Sequence, residues 1–94
     1  MIRDISIVIP IYNEQDNIIQ LINEVRAALV KKINYEIIVV DDGSDDNTYE
    51  VLNKIKKIYK NITIISHKKN YGQSIGLQTG IIKANSEYIV TLDG

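Results

Sequence analysis

The stretch Tyr35–Thr48 reads YEIIVVDDGSDDNT, and its reading decides the fold. From Glu36 to Val40 the run EIIVV is almost wholly β-branched, the pattern of a strand buried on both faces. Asp41 and Asp42 end that strand, Gly43-Ser44 turns the chain, and Asp46, Asn47 or Thr48 caps a following helix. A strand that finishes in two carboxylates and a glycine turn puts acid at the rim of a sheet. Parallel α/β proteins hold their ligands at that rim.

Outward from this centre the same pattern repeats. Ser6-Ile7-Val8-Ile9-Pro10 is a second buried strand, with Pro10 at its end because proline donates nothing to a ladder. A polar loop, Tyr12-Asn13-Glu14, leads to Asp16 or Asn17 as cap of a helix whose apolar stripe is Ile18, Ile22, Val25 and Leu29. Lys31 and Lys32 close that helix, where cations favour the dipole. Val51, Leu52, Ile55 and Ile58 repeat the helical spacing, and Asn61–Ser66 forms a third strand followed by a loop, HKKNYG. From Gly72 the segment GQSIGLQTGIIKAN is helical despite Gly76 and Gly80, each of which costs about 1 kcal/mol relative to alanine. Four residues apart, these glycines share a face and admit a neighbouring backbone. Leu77, Ile81 and Ala84 make one apolar side and Ile75 with Ile82 another, so the helix expects cover on both. Tyr88–Leu92 is a fourth strand. The order βαβαβαβ implies a three-layer α/β/α domain around a parallel sheet with right-handed crossovers, and the most economical arrangement of its strands is the spatial order 3-2-1-4. Its ligand crevice opens between strands one and four, where Pro10–Glu14, Asp41–Ser44 and Asp93 share one rim.

Composition narrows the function. Twenty isoleucines and seven valines among 94 residues favour a sheet-centred core, and 45% apolar content is enough for one domain. A net charge of −1 gives no sign of nucleic-acid binding; Lys54, Lys56, Lys57 and Lys60 read as the solvated face of a helix. There is no cysteine, hence no disulfide framework or thiolate metal site. No apolar run approaches the roughly 20 residues of a membrane span, so the chain reads as soluble and cytoplasmic. Neither G-x-G-x-x-G after the first strand nor a G-K-[ST] loop is present, which argues against a dinucleotide fold and a P-loop enzyme. Carboxylates at the rim suit a divalent cation or hydrogen-bond donors on a base or ribose.

Singly, each piece has an ordinary explanation. Asp41–Ser44 is a capped turn on turn chemistry alone. Pro10–Glu14 is a strand end and helix entry, Asp93 a strand-terminating residue, and His67 a surface residue. Tyr71 and Gly72 are loop packing, or else backbone N–H groups at a helix start that meet an anion. Their collection on one rim is what carries function.

Four stretches, SIVIPIYNE, EIIVVDDGSDDNT, NYGQSIGLQTGI and SEYIVTLDG, resemble the N-terminal nucleotide-sugar half of glycosyltransferase family 2, inverting enzymes of GT-A fold. NYGQS followed by TLDG is most similar to the dolichyl-phosphate mannosyltransferase and polyprenyl-phosphate branch, which serves cell-envelope biosynthesis. The resemblance implies that Pro10 and Tyr12 border the nucleobase, Glu14 lines the nucleotide pocket, Val40 packs beside the base, and Asp42 accepts hydrogen bonds from the base edge. It implies further that Asp93 opens a D-x-D motif holding Mg²⁺ or Mn²⁺ against the donor diphosphate. The third position of that motif falls past Gly94, as do the catalytic base and acceptor site. Residues 1–94 are therefore expected to be part of a GT-A domain that ends inside the motif, with weak metal affinity and no turnover. The parent enzyme would transfer sugar from a UDP- or GDP-sugar to a polyprenyl or dolichyl phosphate, or to a glycan, at the cytoplasmic face of a membrane. Self-association through the fourth strand is expected of this chain.

Two other α/β classes fit less well. A receiver-type signalling domain needs an aspartate after its third strand, where this chain has Ser66-His67-Lys68. A haloacid-dehalogenase-type phosphatase needs D-x-D-G-T, and Gly43 occupies the place of its second aspartate. A non-catalytic nucleotide-binding or dimerisation remnant is the alternative function.

Overall fold

Two β-branched runs pair in parallel to make the centre of the sheet. In the computed structural model, which describes residues 4–29 and 34–92, these are β1 (Ile5–Ile11) and β2 (Tyr35–Asp41), joined by α1 (Ile18–Ala28). The chain continues through α2 (Thr48–Ile58), β3 (Ile62–Ser66), α3 (Gln73–Lys83) and β4 (Tyr88–Thr91). All pairings are parallel, as the alternation of elements requires, and the spatial order is β3-β2-β1-β4. A receiver-type sheet runs 2-1-3-4-5, with its first strand beside the third; here β1 lies beside β4 instead.

Alternation along the strands sorts the core into two layers. Ile7, Ile9, Ile11, Ile37 and Val39 face Ile18 and Ile22 of α1 and Leu52 and Ile55 of α2. Val8, Ile38 and Val40 face the opposite way, toward Leu77 and Ala84. Each layer excludes water, since Val8, Ile9, Ile37, Ile38, Val39 and Val40 are all 0% exposed. Pro10 lies inside β1, one residue before its end, and the ladder shows why it is tolerated there. Leu92 N–H donates to Val8 O and Asp42 N–H to Ile11 O, so even-numbered β1 residues turn their backbone groups toward β4 and odd-numbered ones toward β2. The missing donor of Pro10 thus falls on the β4 side, beyond the last β1–β4 pair, Val8 with Thr91.

The helices depart from expectation at their ends. Asn17 and Asn47 occupy the N-cap positions of α1 and α2 without a side-chain capping bond. In α1 the backbone N–H groups of Asn17 and Ile18 both turn back to Glu14 O, at 3.0 and 2.9 Å. In α2 the carboxylate of Asp46 accepts from Thr48 N–H at 3.0 Å. Leu29 follows α1 as its C-cap and packs against the core, whereas Lys31 and Lys32 lie outside the described residues. Ile58, expected in the apolar stripe of α2, is 70% exposed because the helix ends there.

Gly76 and Gly80 are the buried residues of α3. A Cβ on Gly80 would stand 2.2 Å from Val8 Cγ1, and one on Gly76 3.0 Å from Pro10 Cβ. The helix therefore lies against β1 at a distance only glycine permits. Leu77 and Ala84 flank this contact. Ile81, expected beside them, is exposed together with Ile75 and Ile82, as are Tyr88, Ile89 and Val90 of β4.

Gly80→Ala should destabilise the chain by about 1–3 kcal/mol through overpacking, in spite of the roughly 1 kcal/mol of helix propensity that alanine brings. Gly76→Ala should cost less. Urea unfolding of the two variants decides; a stabilised Gly80→Ala would contradict the close approach.

Candidate functional site

At the C-terminal ends of β1 and β2 two loops are tied to each other by polar side chains. Asn13, in left-handed backbone conformation (φ 52°), accepts at its side-chain oxygen from Asp45 N–H at 2.8 Å, and its own N–H donates to Ser44 Oγ at 2.9 Å. Glu14 N–H donates to the buried hydroxyl of Thr48 at 2.9 Å, and that hydroxyl donates onward to Asp46 at 2.5 Å. Asn47 N–H reaches Gln15 Oε1 at 2.7 Å. Asn, Asp, Ser and Thr compete well for backbone groups outside helices, and here they join loops some 30 residues apart in sequence.

The two aspartates that end β2 divide their work. Asp41, 2% exposed, turns inward and accepts from Ser44 N–H at 3.2 Å and from Ser44 Oγ at 2.5 Å, which makes it the turn residue that its neighbours imply. Asp42 does something less local. Although it is only 4% exposed, its Oδ1 lies 2.8 Å from His67 Nδ1 and accepts from Tyr71 N–H at 3.0 Å, while Oδ2 accepts from Gly72 N–H at 2.8 Å. The anion at the start of α3 is therefore supplied by the chain itself. Burial works against ionisation of Asp42, but the hydrogen bonds from His67, Tyr71 and Gly72 outweigh it and hold the carboxyl below the ordinary aspartate range. For Asp46, too, burial is overcome, by the bonds from Thr48 and Gln15.

His67 is not the surface residue expected of it. It is partly enclosed, and its Nε2 lies 3.0 Å from Thr79 Oγ1 of α3. Beneath the same loop Gly43 adopts φ 73°, and a Cβ there would come within 2.3–2.7 Å of the Lys69–Asn70 backbone. Loop 67–72 is thus pressed onto the turn after β2 and fastened by Asp42.

Between the tied loops and the start of α3 opens a crevice of about 250 Å³, walled by Pro10, Ile11, Tyr12 and Glu14 on one side and by Asp42, Asn70, Gly72 and Gln73 on the other. Four of the expected residues, Pro10, Tyr12, Glu14 and Asp42, meet here. Val40 does not: it is 0% exposed and lies under α3, with Cγ2 at 3.3 Å from a Cβ placed on Gly80. Asp93 lies outside the described residues. Tyr12 is 41% exposed, and the Asp45 carboxylate that accepts its hydroxyl at 3.2 Å pushes the phenol above its usual range. Asn70 and Gln73 were not singled out by the sequence; their place in the N-Y-G-Q run beside Gly72 was the available signal. Among the described residues no group of three or more His, Cys, Asp or Glu side chains is arranged to hold a metal ion. A larger groove, about 330 Å³, runs between α1 and α2, but it is lined by Ile19, Ile55 and Ile58 rather than by acid, and lies away from the strand ends. No helix among the described residues is long and apolar enough to cross a membrane.

A family model described as glycosyl transferase family 2 matches residues 6–94. Undecaprenyl-phosphate 4-deoxy-4-formamido-L-arabinose transferase of Proteus mirabilis is 36% identical over 94 residues, covering 98% of this chain and 29% of that protein. Residues 1–349 of S. aureus TarS, crystallised with UDP, superpose with a TM-score of 0.82 at 25% identity over 96% of this chain and 27% of theirs. Mannosyltransferase PcManGT from Pyrobaculum calidifontis, in complex with GDP-Man and Mn²⁺, gives a TM-score of 0.86 at 21% identity over 99% of this chain and 28% of that one, a likeness of fold. The chain spans between about one seventh and three tenths of the length of the curated relatives it matches.

The depressed carboxyl of Asp42 makes stability depend on pH in a defined direction. Its contribution is full above the ordinary aspartate value and is lost as pH falls below about 4 and through the lowered folded-state value. Urea midpoints should therefore drop on acidification, and Asp42→Asn should flatten that dependence. An unchanged acid limb in the variant would contradict the assignment.

Proposed function

Because the chain belongs to glycosyltransferase family 2 and has the GT-A fold, we propose that its crevice is the nucleoside end of a nucleotide-sugar site. Residues 1–94 then form the N-terminal donor-binding part of the domain. The observation that carries this reading is a single one: a buried, ionised carboxylate, Asp42, in the wall of a crevice whose opposite wall is Pro10 and the exposed ring of Tyr12. A carboxylate is an acceptor only, so it selects a base that presents an N–H edge, as uracil and guanine both do. Pro10 and Tyr12 border the base, and Glu14 lines the pocket where ribose hydroxyls need acceptors. Asp93, as first residue of a D-x-D motif, is the proposed ligand of Mg²⁺ or Mn²⁺ on the diphosphate. A bound cation there would offset charge on the departing nucleoside diphosphate; the described residues alone do not build that site.

The reaction proposed for the whole enzyme is one displacement with inversion. An acceptor oxygen attacks the anomeric carbon as the bond to the nucleoside diphosphate breaks, the diphosphate keeps the electron pair, and the acceptor's proton passes to a base. This chain contributes to the leaving side by holding the nucleoside, and by itself it is expected not to turn over. A polyprenyl phosphate is the favoured acceptor, consistent with the name of the Proteus relative, which would place the enzyme at the cytoplasmic face of a membrane.

A second reading, self-association, rests on a different observation: β4 is exposed along its whole length and Tyr88 is 67% exposed. An uncovered apolar edge pairs readily with another. Light scattering should show dimers at high concentration, and a monomer throughout would rule this out.

Calorimetric titration with UDP and GDP tests the main proposal. One of them should bind, and Tyr12→Ala should weaken it about tenfold, since stacking of a base on an aromatic ring contributes about 1–3 kcal/mol. No binding of either nucleotide at millimolar concentration would sink it.

A further inference from the structure

The ring of His67 is held from three directions. Asp42 Oδ1 stands 2.8 Å from Nδ1, Thr79 Oγ1 3.0 Å from Nε2, and the Tyr71 ring meets it edge-on with centroids 5.4 Å apart. An ionised carboxylate donates nothing, so the proton on the Asp42 side must be the ring's own. In the neutral ring Nε2 is then the acceptor and Thr79 the donor. A chain of hydrogen bonds thus runs from α3 through His67 into the crevice wall.

The occupancy of Asp42 is uneven. A carboxylate offers about four lone-pair sites, two on each oxygen. Among the described residues, Oδ1 receives both His67 Nδ1 and Tyr71 N–H, whereas Oδ2 receives Gly72 N–H. Those donors leave an acceptor site on Oδ2, and Asp42 lines the crevice. We propose that His67 is a positioning residue for nucleobase recognition: anchored by Thr79, it saturates Oδ1 and locks the carboxylate so that the acceptor site left on Oδ2 meets the N–H edge of the base. This rests on the crevice being the nucleoside site. The role differs from packing because two backbone donors already fasten the loop; what His67 adds is control over which oxygen stays available. Glu14 across the crevice, Asp41 beside Asp42, and Lys68 and Lys69 within the loop, the latter's ammonium 6.0 Å from the Tyr71 ring centroid, are the other charged groups near this ring.

Three variants separate positioning from stability. His67→Leu removes the donor. His67→Asn keeps one, because the amide nitrogen is as many bonds from Cβ as Nδ1 is. Thr79→Val removes only the anchoring hydroxyl. The readouts are the acid titration of the Asp42 carboxyl carbon by NMR and the affinity for UDP and GDP. His67→Leu should raise the carboxyl midpoint and weaken the bound nucleotide about tenfold, the scale of a lost charge-assisted hydrogen bond. His67→Asn should restore most of both, and Thr79→Val should show a smaller weakening with the fold intact. If all three variants melt earlier while the carboxyl midpoint and the nucleotide affinity stay as in the parent, His67 is a packing residue and the proposal is overturned. Should the parent chain bind neither nucleotide, the nucleoside reading fails by itself. The midpoint then still decides whether His67 controls Asp42. Should His67→Leu not fold, Thr79→Val carries the test, and an unchanged affinity in it counts against the proposal.

Discussion

A carboxylate taken out of water costs several kcal/mol unless fixed donors replace the solvent it loses, and Asp42 is such a group. Its donors come from His67, Tyr71 and Gly72, so burying it is possible only when the loop after β3 and the start of α3 are set against the end of β2. The rim is therefore specified by one electrostatic requirement as much as by apolar packing. Gly43 meets the same demand from the other side, since the Lys69–Asn70 backbone crosses where any larger residue would put its Cβ.

The position of α3 follows from a second close approach. Gly76 and Gly80 let the helix lie on Val8 and Pro10, and this depth brings Gly72 N–H within reach of Asp42. Sequence here acts through packing to set a functional distance: a bulkier residue at position 80 would lift the helix and pull its first turn away from the carboxylate. The helix dipole is used in the same place, because its positive end is answered by Asp42. A donor cradle that elsewhere receives a phosphate is, in this chain, already filled.

Much of this was legible in the sequence because it depends on local pattern. The β-branched runs, the helical spacing of Ile18, Ile22 and Val25, and the glycine pair at 76 and 80 each state their burial in a few residues, and strand order follows from connection rules. What escaped depends on partners distant in the chain. His67 looked like a surface residue since nothing within its own loop reveals Asp42, 25 residues away. The cap positions at Asn17 and Asn47 were legible, but the ties from Asn13, Ser44 and Gln15 to the neighbouring loop are invisible within one segment. Val40 is a different case: it shares its face with Val8 and Ile38 but lies two residues back from the rim, where Gly80 of α3 covers it, so the depth of the helix rather than strand parity keeps it out of the crevice. Ile58 fitted the helical period but stands at the last turn, where α2 no longer covers the sheet.

The polarity of the crevice sets what the bound donor must bring. None of the residues lining it is cationic, and two, Glu14 and Asp42, are acids. Such a wall can recognise N–H and O–H groups of a nucleoside, but it opposes a diphosphate, since like charges in a partly dry cleft repel more strongly than in water. The N–H groups of Tyr71 and Gly72, just ahead of α3, cannot relieve this because Asp42 occupies them. On the proposed reading, nucleoside recognition and charge neutralisation would be separated in space: the base would sit against Asp42, and the diphosphate would extend away from this acidic wall to where a cation or basic group could meet it.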